Sequence, residues 1–322
     1  MPLIRAQADV VPAGGRLLGF GVYRPAGTLD SDELGQRFGK TGDWVRSRTG
    51  MRVRRIASEA EDVPGMATEA AKDAIRASGL SADDVDLVIV ASCSVDGPSG
   101  AAATVARQLG AGHAAAVDLN AACAGFCYSL AVATDAIRGG SARHALVIGA
   151  EKMTAWVDPA DLPTAIVFGD GAGAAVVGPS DEPAIGPVVW GSDGSNADHI
   201  HISADTGMMV MAGQAVFRWA TTEVHPVALE ACRRAGVAPT ELAALVPHQA
   251  NMRIVDAMAR SIGAEHAVVA HDGACTGNTS AASIPLALHQ LMEDREVKSG
   301  ELALLVGFGA GLSYAAQVVR MP

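Results

Sequence analysis

The sequence has no apolar run approaching the roughly 18 residues that suggest a membrane-crossing helix. Its first residues lack the charged-then-apolar pattern of a secretory signal. Both absences point to a cytoplasmic protein without a membrane partner. Cysteine is sparse: there are five, an odd number at irregular spacing, which argues against a disulfide framework. Cys123-x-x-x-Cys127 has no second ligand pair, so no metal site is expected. Positive charge is short as well, with a formal net charge of −11, which disfavours nucleic-acid binding. One stretch runs the other way: Arg46, Arg48, Arg52, Arg54 and Arg55 lie close together beside Trp44. It reads either as a solvated face or as a docking site for a phosphate-bearing or acidic partner.

What remains is a chain of 322 residues, 49% hydrophobic, with a mean hydropathy of +0.24. It is long enough for two core-forming units or one large α/β domain, and its apolar content favours buried parallel strands. Strands are expected at 17–23, 85–91, 114–119, 145–149, 242–246 and 267–271. Helices are expected at 31–38 with an N-cap serine, 63–78 with Gly79 as its stop, 101–109, 124–137 and 252–262. Phe168 to Val177 reads as a glycine-rich hairpin.

The chain is organised around Asp118-Leu-Asn-Ala-Ala-Cys-Ala-Gly-Phe-Cys-Tyr-Ser-Leu130. A short apolar strand, 114–119, is followed at once by Cys123 and then by a helix of small residues. A cysteine at a helix N-terminus is poised as a thiolate nucleophile. Read alone, it is more often inert packing. A second segment repeats this grammar, with 267–271 leading into Gly277-Asn-Thr-Ser-Ala-Ala-Ser283. Other matched segments keep a separation of about 155 to 160 residues, so the sequence reads as a duplicated α/β unit with halves at 1–180 and 181–322. Two such halves bring equivalent strand ends to one cleft.

That placement singles out three residues. Cys123 is the candidate nucleophile. His248, in Val-Pro-His-Gln-Ala-Asn251, leaves the end of a strand fixed by Pro247. Asn278 opens a helix, where capping competes with donation to a carbonyl oxygen that gains charge. Cys93 is a possible cleft residue, Cys127 is expected in the core and Cys232 on a surface helix. Cys275 and His271 are lesser cleft candidates. The glycine clusters at 169–173 and 307–311 are followed by strands, not helices, which excludes a dinucleotide site.

At these residues the chain resembles the β-ketoacyl-acyl-carrier-protein synthase III family of the thiolase superfamily, from about Leu17 to Arg320. The motifs are Asp43-Trp-Val-Arg-Ser-Arg-Thr-Gly50, Ala121-Ala-Cys-Ala-Gly-Phe126, Phe168-Gly-Asp-Gly-Ala-Gly-Ala-Ala175, Val246-Pro-His-Gln-Ala-Asn251, Gly277-Asn-Thr-Ser-Ala-Ala-Ser283 and Gly307-Phe-Gly-Ala-Gly311. The resemblance implies an α/β fold, the duplicated five-layer αβαβα thiolase fold, usually a homodimer. It implies that Cys123 takes an acyl group from acyl-CoA, and that His248 and Asn278 promote decarboxylation of malonyl-acyl-carrier protein. The carbanion then attacks the acyl-cysteine.

The same resemblance puts the oxyanion hole on the backbone N–H groups of Cys123 and Ala310, where the family usually has glycine at the second position. Trp44 and Arg48 match CoA positions. Arg218, Asn251, Arg253 and Arg260 match pantetheine or carrier-protein positions. Cys93, Pro98, Trp156 and Phe308 would line the acyl pocket. No cofactor is implied; acyl-CoA and the malonyl thioester are substrates. Departures around Ala155-Trp156, at Gly97-Pro98 and in a longer loop before Asn278 suggest a bulkier or branched starter, as in priming of a polyketide. There are two rivals: a non-condensing acyltransferase of the same fold that passes the Cys123 acyl group to an alcohol, amine or carrier thiol, and a non-catalytic scaffold or chain-length partner subunit, which normally loses its cysteine.

Overall fold

The structure is a computed structural model that describes residues 12–95 and 100–322. In chain order the first half contains β1 (Gly14–Tyr23), β2 (Gly27–Asp30), α1 (Ser31–Arg37), α2 (Gly42–Thr49), β3 (Val53–Ile56), α3 (Val63–Ser78), β4 (Leu87–Ala91), α4 (Ala102–Leu109) and β5 (Ala115–Leu119). It continues with α5 (Gly125–Arg138), β6 (Ala145–Lys152), α6 (Leu162–Ala165) and β7 (Asp170–Ser180). The second contains β8 (Val189–Ser192), β9 (Ile200–Ile202), β10 (Met209–Met211), α7 (Gly213–Thr222), α8 (Val224–Ala235), β11 (Ala244–Pro247) and α9 (Met252–Ile262). It ends with β12 (Val268–Val269), α10 (Gly273–Thr276), α11 (Ser283–Glu293), β13 (Leu302–Gly309) and β14 (Ser313–Arg320).

Local signals set the helix ends. Asp62 caps α3 by accepting from Gly65 N–H at 2.8 Å, Pro64 sits in its first turn, and Gly79 closes it at φ +73°. The expected serine cap of α1 is instead Asp30, which accepts from Glu33 N–H; Ser31 is buried and gives its hydroxyl to the Met51 carbonyl.

Two five-stranded sheets share one topology. The first runs β1-β7-β6-β4-β5 and the second β8-β14-β13-β11-β12. In each, the last three strands are parallel and the first two antiparallel. Helices α3 and α4 cover the outer face of the first sheet, α8 and α9 that of the second, and α5 with α11 lie between. That middle layer buries Phe126, Leu130, Ile137, Ile284 and Leu288 against both sheets. Each such side chain contributes roughly 1.5–3 kcal/mol on burial.

Four further expectations change. Phe168–Val177 is no hairpin: β7 is one long strand between β1 and β6. It is small-residue rich because α11 lies directly on it; a Cβ on Gly173 would sit 2.8 Å from the Pro285 ring. The 267–271 strand shrinks to the two residues of β12. Strand β5 is exposed rather than buried, an edge paired only with β4. Cys232 lies on α8 but faces inward, 2% exposed, against the second sheet. Among the described residues no helix is long and apolar enough to cross a membrane.

Candidate active site

The residues around Cys123 and those around Asn278 form the same backbone turn. Asn120 Oδ1 accepts from Ala122 N–H at 3.0 Å, and Asn278 Oδ1 accepts from Ser280 N–H at 2.9 Å. The residues that donate, Ala122 and Ser280, both stand at φ +46°. Non-glycine residues seldom adopt that region, and the strain recurs because both halves need it. Each turn then hands over to a middle-layer helix, α5 or α11.

This turn engages one end of the Asn278 amide. Its oxygen is committed to the cap, so its NH₂ group is left to face the cavity as a donor. Capping takes the oxygen of the amide and leaves its NH₂ group on a residue that lines the cavity. The residue is tied to the other half as well: Asn278 N–H donates to the Val167 carbonyl at 2.9 Å, and Gly169 N–H donates back to Asn278 O at 3.0 Å.

His248 leaves the end of β11, its N–H bonded to the Val306 carbonyl at 2.8 Å. Its ring lies edge-on to Phe308, with 5.2 Å between centroids. Nδ1 is 2.7 Å from Ser283 Oγ. Ser283 Oγ also accepts from Gln249 N–H at 3.4 Å; when the serine hydrogen is given to Nδ1, the imidazole proton sits on Nε2. Burial pushes the His248 pKa down to about 3, so the ring is a neutral donor at physiological pH.

Cys123, His248 and Asn278 line one cavity of about 790 Å³. Gly309 is what leaves the sulfur room. A Cβ there would stand 2.7 Å from Cys123 Cβ and 2.9 Å from its Sγ. One expectation fails here. The thiol is not a resting thiolate: surrounding protein pushes its pKa up to about 12, and the charge of Glu151 adds to this against the lowering bond from Ser280. A helix start worth about 0.3–2 kcal/mol does not outweigh such burial.

The cavity runs outward between apolar walls from α6, the β9–β10 hairpin and α7, including Leu162, Ile200, Met209 and Phe217. Trp44, Arg48, Arg218, Asn251 and Arg253 stand along it. Arg48 lies over the Trp44 ring at 5.4 Å and Arg253 over Phe217 at 5.5 Å. The amide of Asn251 has structural duties, since it caps α9 at Arg253 N–H and donates to the Arg48 carbonyl. Arg260 is exposed, two turns further along α9, and does not line the cavity. Ala310 does line it.

The basic stretch near Trp44 is not one surface. Arg54 is fully buried, bonded to Ser31 Oγ, Thr49 Oγ1 and the Ile166 carbonyl. Arg46 is engaged by Asp32 and Asp43, and Arg52 by Cys275 Sγ at 2.9 Å. Of the five only Arg48 reaches the cavity. Alternation along β3 turns Arg54 inward, which a run of charges in sequence does not reveal.

At the inner end Cys93 and Phe308 line the cavity as expected; Trp156 does not. The turn at 153–156 presents Met153 instead, 1% exposed and 3.8 Å from Cys93 Sγ. Pro98 lies outside the described residues. Cys275 and His271 are both exposed and absent from the lining, and His271 Nε2 is engaged by Asp256 at 2.8 Å. Sequence reasoning missed Glu151, Ser280 and Ser283. A glutamate inside the apolar run Ala145–Lys152 was the available signal.

Comparison with known proteins agrees with this geometry. The family described as 3-oxoacyl-[acyl-carrier-protein] synthase III matches residues 117–194, and its C-terminal counterpart matches 232–321. The β-ketoacyl-[acyl-carrier-protein] synthase III 4 of Streptomyces coelicolor is 49% identical, covering 96% of this chain and 99% of that protein. A mycobacterial β-ketoacyl-[acyl-carrier-protein] synthase III from Mycobacterium avium is 46% identical, covering 95% of each chain. Among solved structures, the priming β-ketosynthase of the R1128 polyketide pathway superposes with TM-score 0.94 at 42% identity, covering 100% of this chain and 99% of that one. The synthase III of Aquifex aeolicus gives 0.90 at 38%, covering 95% of this chain and all of the other. The two sheets and three helical layers are the duplicated αβαβα thiolase fold, and the chain belongs to the β-ketoacyl-acyl-carrier-protein synthase III family.

Proposed function

We propose that the protein starts acyl chains by decarboxylative Claisen condensation of an acyl-CoA with malonyl-acyl-carrier protein. The observation that carries this is the single cavity in which a thiol, a neutral imidazole and a free carboxamide NH₂ meet. Cys123 attacks the acyl-CoA carbonyl, CoA leaves, and an acyl thioester remains on the sulfur. The backbone N–H groups of Cys123 and Ala310 hold the oxyanion of that step. The malonyl thioester then enters. His248 Nε2–H and the Asn278 NH₂ donate to its thioester oxygen as carbon dioxide departs and enolate charge builds. The carbanion attacks the acyl-cysteine and releases the β-ketoacyl thioester.

Neutrality of His248 suits this role, because two neutral donors stabilise the enolate without protonating it. Arg48, Arg218 and Arg253 along the entrance, with Trp44, hold CoA or the phosphopantetheine arm, and Arg260 on the outer surface meets the acidic carrier protein. Cys93, Met153 and Phe308 bound the acyl end. The likeness to a priming ketosynthase supports a polyketide or fatty-acid starter role, with a bulkier or branched acyl group. The uncovered edge of β5, with Val117 at 42% exposure, supports assembly as a homodimer.

Carbon dioxide release tests the reading against simple acyl transfer. With acyl-CoA and malonyl-acyl-carrier protein, the condensation gives one carbon dioxide per β-ketoacyl product. Acyl transfer to the carrier without gas release would overturn it. A panel of acyl-CoAs read by intact mass tests the starter; labelling by acetyl-CoA alone would defeat the bulky-starter reading.

A further inference from the structure

Arg54, on β3, is a buried cation that the condensation above does not use. Its side chain is 0% exposed, and among the described residues no carboxylate bonds it. Burial lowers its pKa to about 10, so the guanidinium stays charged at neutral pH. Burying such a charge without a counter-ion is costly, and an apolar side chain could fill the same space without that penalty.

The guanidinium has a defined set of acceptors. Nε donates to the Ile166 carbonyl at 3.0 Å, and Nη2 donates to the same oxygen. Nη1 donates to Ser31 Oγ at 2.7 Å, and Nη2 also donates to Thr49 Oγ1 at 3.2 Å. Both hydroxyls give their own hydrogens away, Ser31 to the Met51 carbonyl and Thr49 to that of Val45. Each therefore turns a lone pair to the arginine. Ile166 closes the short helix α6, and among the described residues no other donor reaches its carbonyl.

The segment gripped in this way is the one that holds Asn278. The Val167 carbonyl accepts from Asn278 N–H at 2.9 Å, and Gly169 N–H returns a bond to Asn278 O at 3.0 Å. Phe168, between them, pairs with Asn278 as a parallel bridge. Gly277, just before Asn278, stands at φ +80° directly against the arginine: a Cβ there would lie 2.8 Å from Arg54 Cγ. Arg54 therefore bounds Asn278 on two sides, through Ile166 and the ladder that follows it, and through Gly277. The Asn278 Oδ1 is already fixed by Ser280 N–H. With that oxygen and the backbone both held, the direction of the NH₂ group follows from where the ladder lies.

The geometry points to Arg54 as a positioning residue that holds the Asn278 amide where the malonyl thioester oxygen gains charge. The inference rests on the condensing function above and adds no group to the reacting atoms. Arg54 does not line the cavity, and it acts on decarboxylation through Asn278. Acylation uses the Cys123 sulfur and the backbone N–H groups of Cys123 and Ala310, none of which Arg54 holds. A lysine in its place keeps the charge. It lacks the planar fork that takes one carbonyl oxygen from two nitrogens.

The test measures two half-reactions of Arg54→Lys separately: carbon dioxide released from malonyl-acyl-carrier protein, and the burst of CoA released at saturating acyl-CoA. Carbon dioxide release is expected to slow about 10- to 100-fold, as when a reacting group is misplaced, while the burst stays within about twofold of the unmodified rate. The kcat and kcat/KM for malonyl-acyl-carrier protein fall together, because the weakened contact belongs to the transition state. In Asn278→Asp the lysine change costs nothing further, since the donor that Arg54 positions is already gone. Ser31→Ala removes one acceptor and keeps Arg54. It slows carbon dioxide release about threefold and keeps the test open if the lysine variant does not fold. Carbon dioxide release at the unmodified rate in the folded variants overturns the inference. So does equal slowing of both half-reactions, or losses that multiply in the double variant, either of which marks a merely structural arginine. If the unmodified protein acylates Cys123 but releases no carbon dioxide, the condensing function falls first and takes the positioning role with it.

Discussion

The two turns of the duplicated unit have the same backbone and opposite contents. Asn120 and Asn278, Ala122 and Ser280, Cys123 and Ala281, and Glu151 and Gly309 are each 158 positions apart. Each sheet end meets the turn of the other half, β13 at Cys123 and β6 at Ala281. At the first junction the turn carries the Cys123 sulfur and the strand faces it with Gly309. At the second the turn carries an inert methyl and the strand has grown to Glu151. Two equal frames thus differ in how one large and one small residue are shared between turn and strand: Cys123 against Gly309 at one junction, Ala281 against Glu151 at the other.

Removing the sulfur has the largest expected effect. Cys123→Ala makes the two turns alike, and condensation falls by about 10⁴-fold or more, as when a nucleophile is lost. Acyl-enzyme mass vanishes while carbon dioxide still leaves the malonyl thioester, because His248 and Asn278 remain. Asn278→Asp is the reciprocal change. It keeps the oxygen that caps Ser280 and removes the donor, so decarboxylation drops about 10²–10³-fold while Cys123 still acylates. Equal loss of both half-reactions in either variant would erase the division of labour between the turns.

Gly309→Ala sharpens the contrast further. Its Cβ displaces the sulfur, and acylation slows about 10²-fold for a shift near 1 Å. A burst at the unmodified rate would show that the small strand residue is incidental. The smallest effect concerns pH. His248 has its pKa lowered from 6.5 to about 3, so in that window the unfolded chain binds a proton that the folded protein refuses. Stability therefore falls as pH drops through the window. His248→Gln removes this contribution, and its urea midpoint declines less steeply with acid; an equally steep decline would contradict the buried neutral ring.

Much of this was legible in the sequence because periodicity and punctuation report local structure directly. Helices α3 and α9 matched residue for residue, and the repeated order of strands and glycines revealed the duplication. That Cys123, His248 and Asn278 share one cavity was legible because each stands at a strand-to-helix or strand-to-loop junction. What escaped depends on contacts between the halves. The inward turn of Arg54, the choice of Met153 over Trp156, and the exposure of β5 are set by partners far away in the chain. The equivalence of Cys123 with Ala281 rather than Asn278 needed the two matched turns, with Asn120 and Asn278 as caps and Ala122 and Ser280 at the same φ. Glu151 was hidden for the same reason, since its bond from Ala281 N–H spans 130 positions.

Intact-mass measurement of the protein mixed with acyl-CoA, then with malonyl-acyl-carrier protein, tests the convergence of the three side chains most directly. The account predicts one acyl adduct, located on Cys123, that is discharged as carbon dioxide and β-ketoacyl product appear. An adduct on Cys93, or one on Cys123 that malonyl-acyl-carrier protein leaves in place, would contradict it.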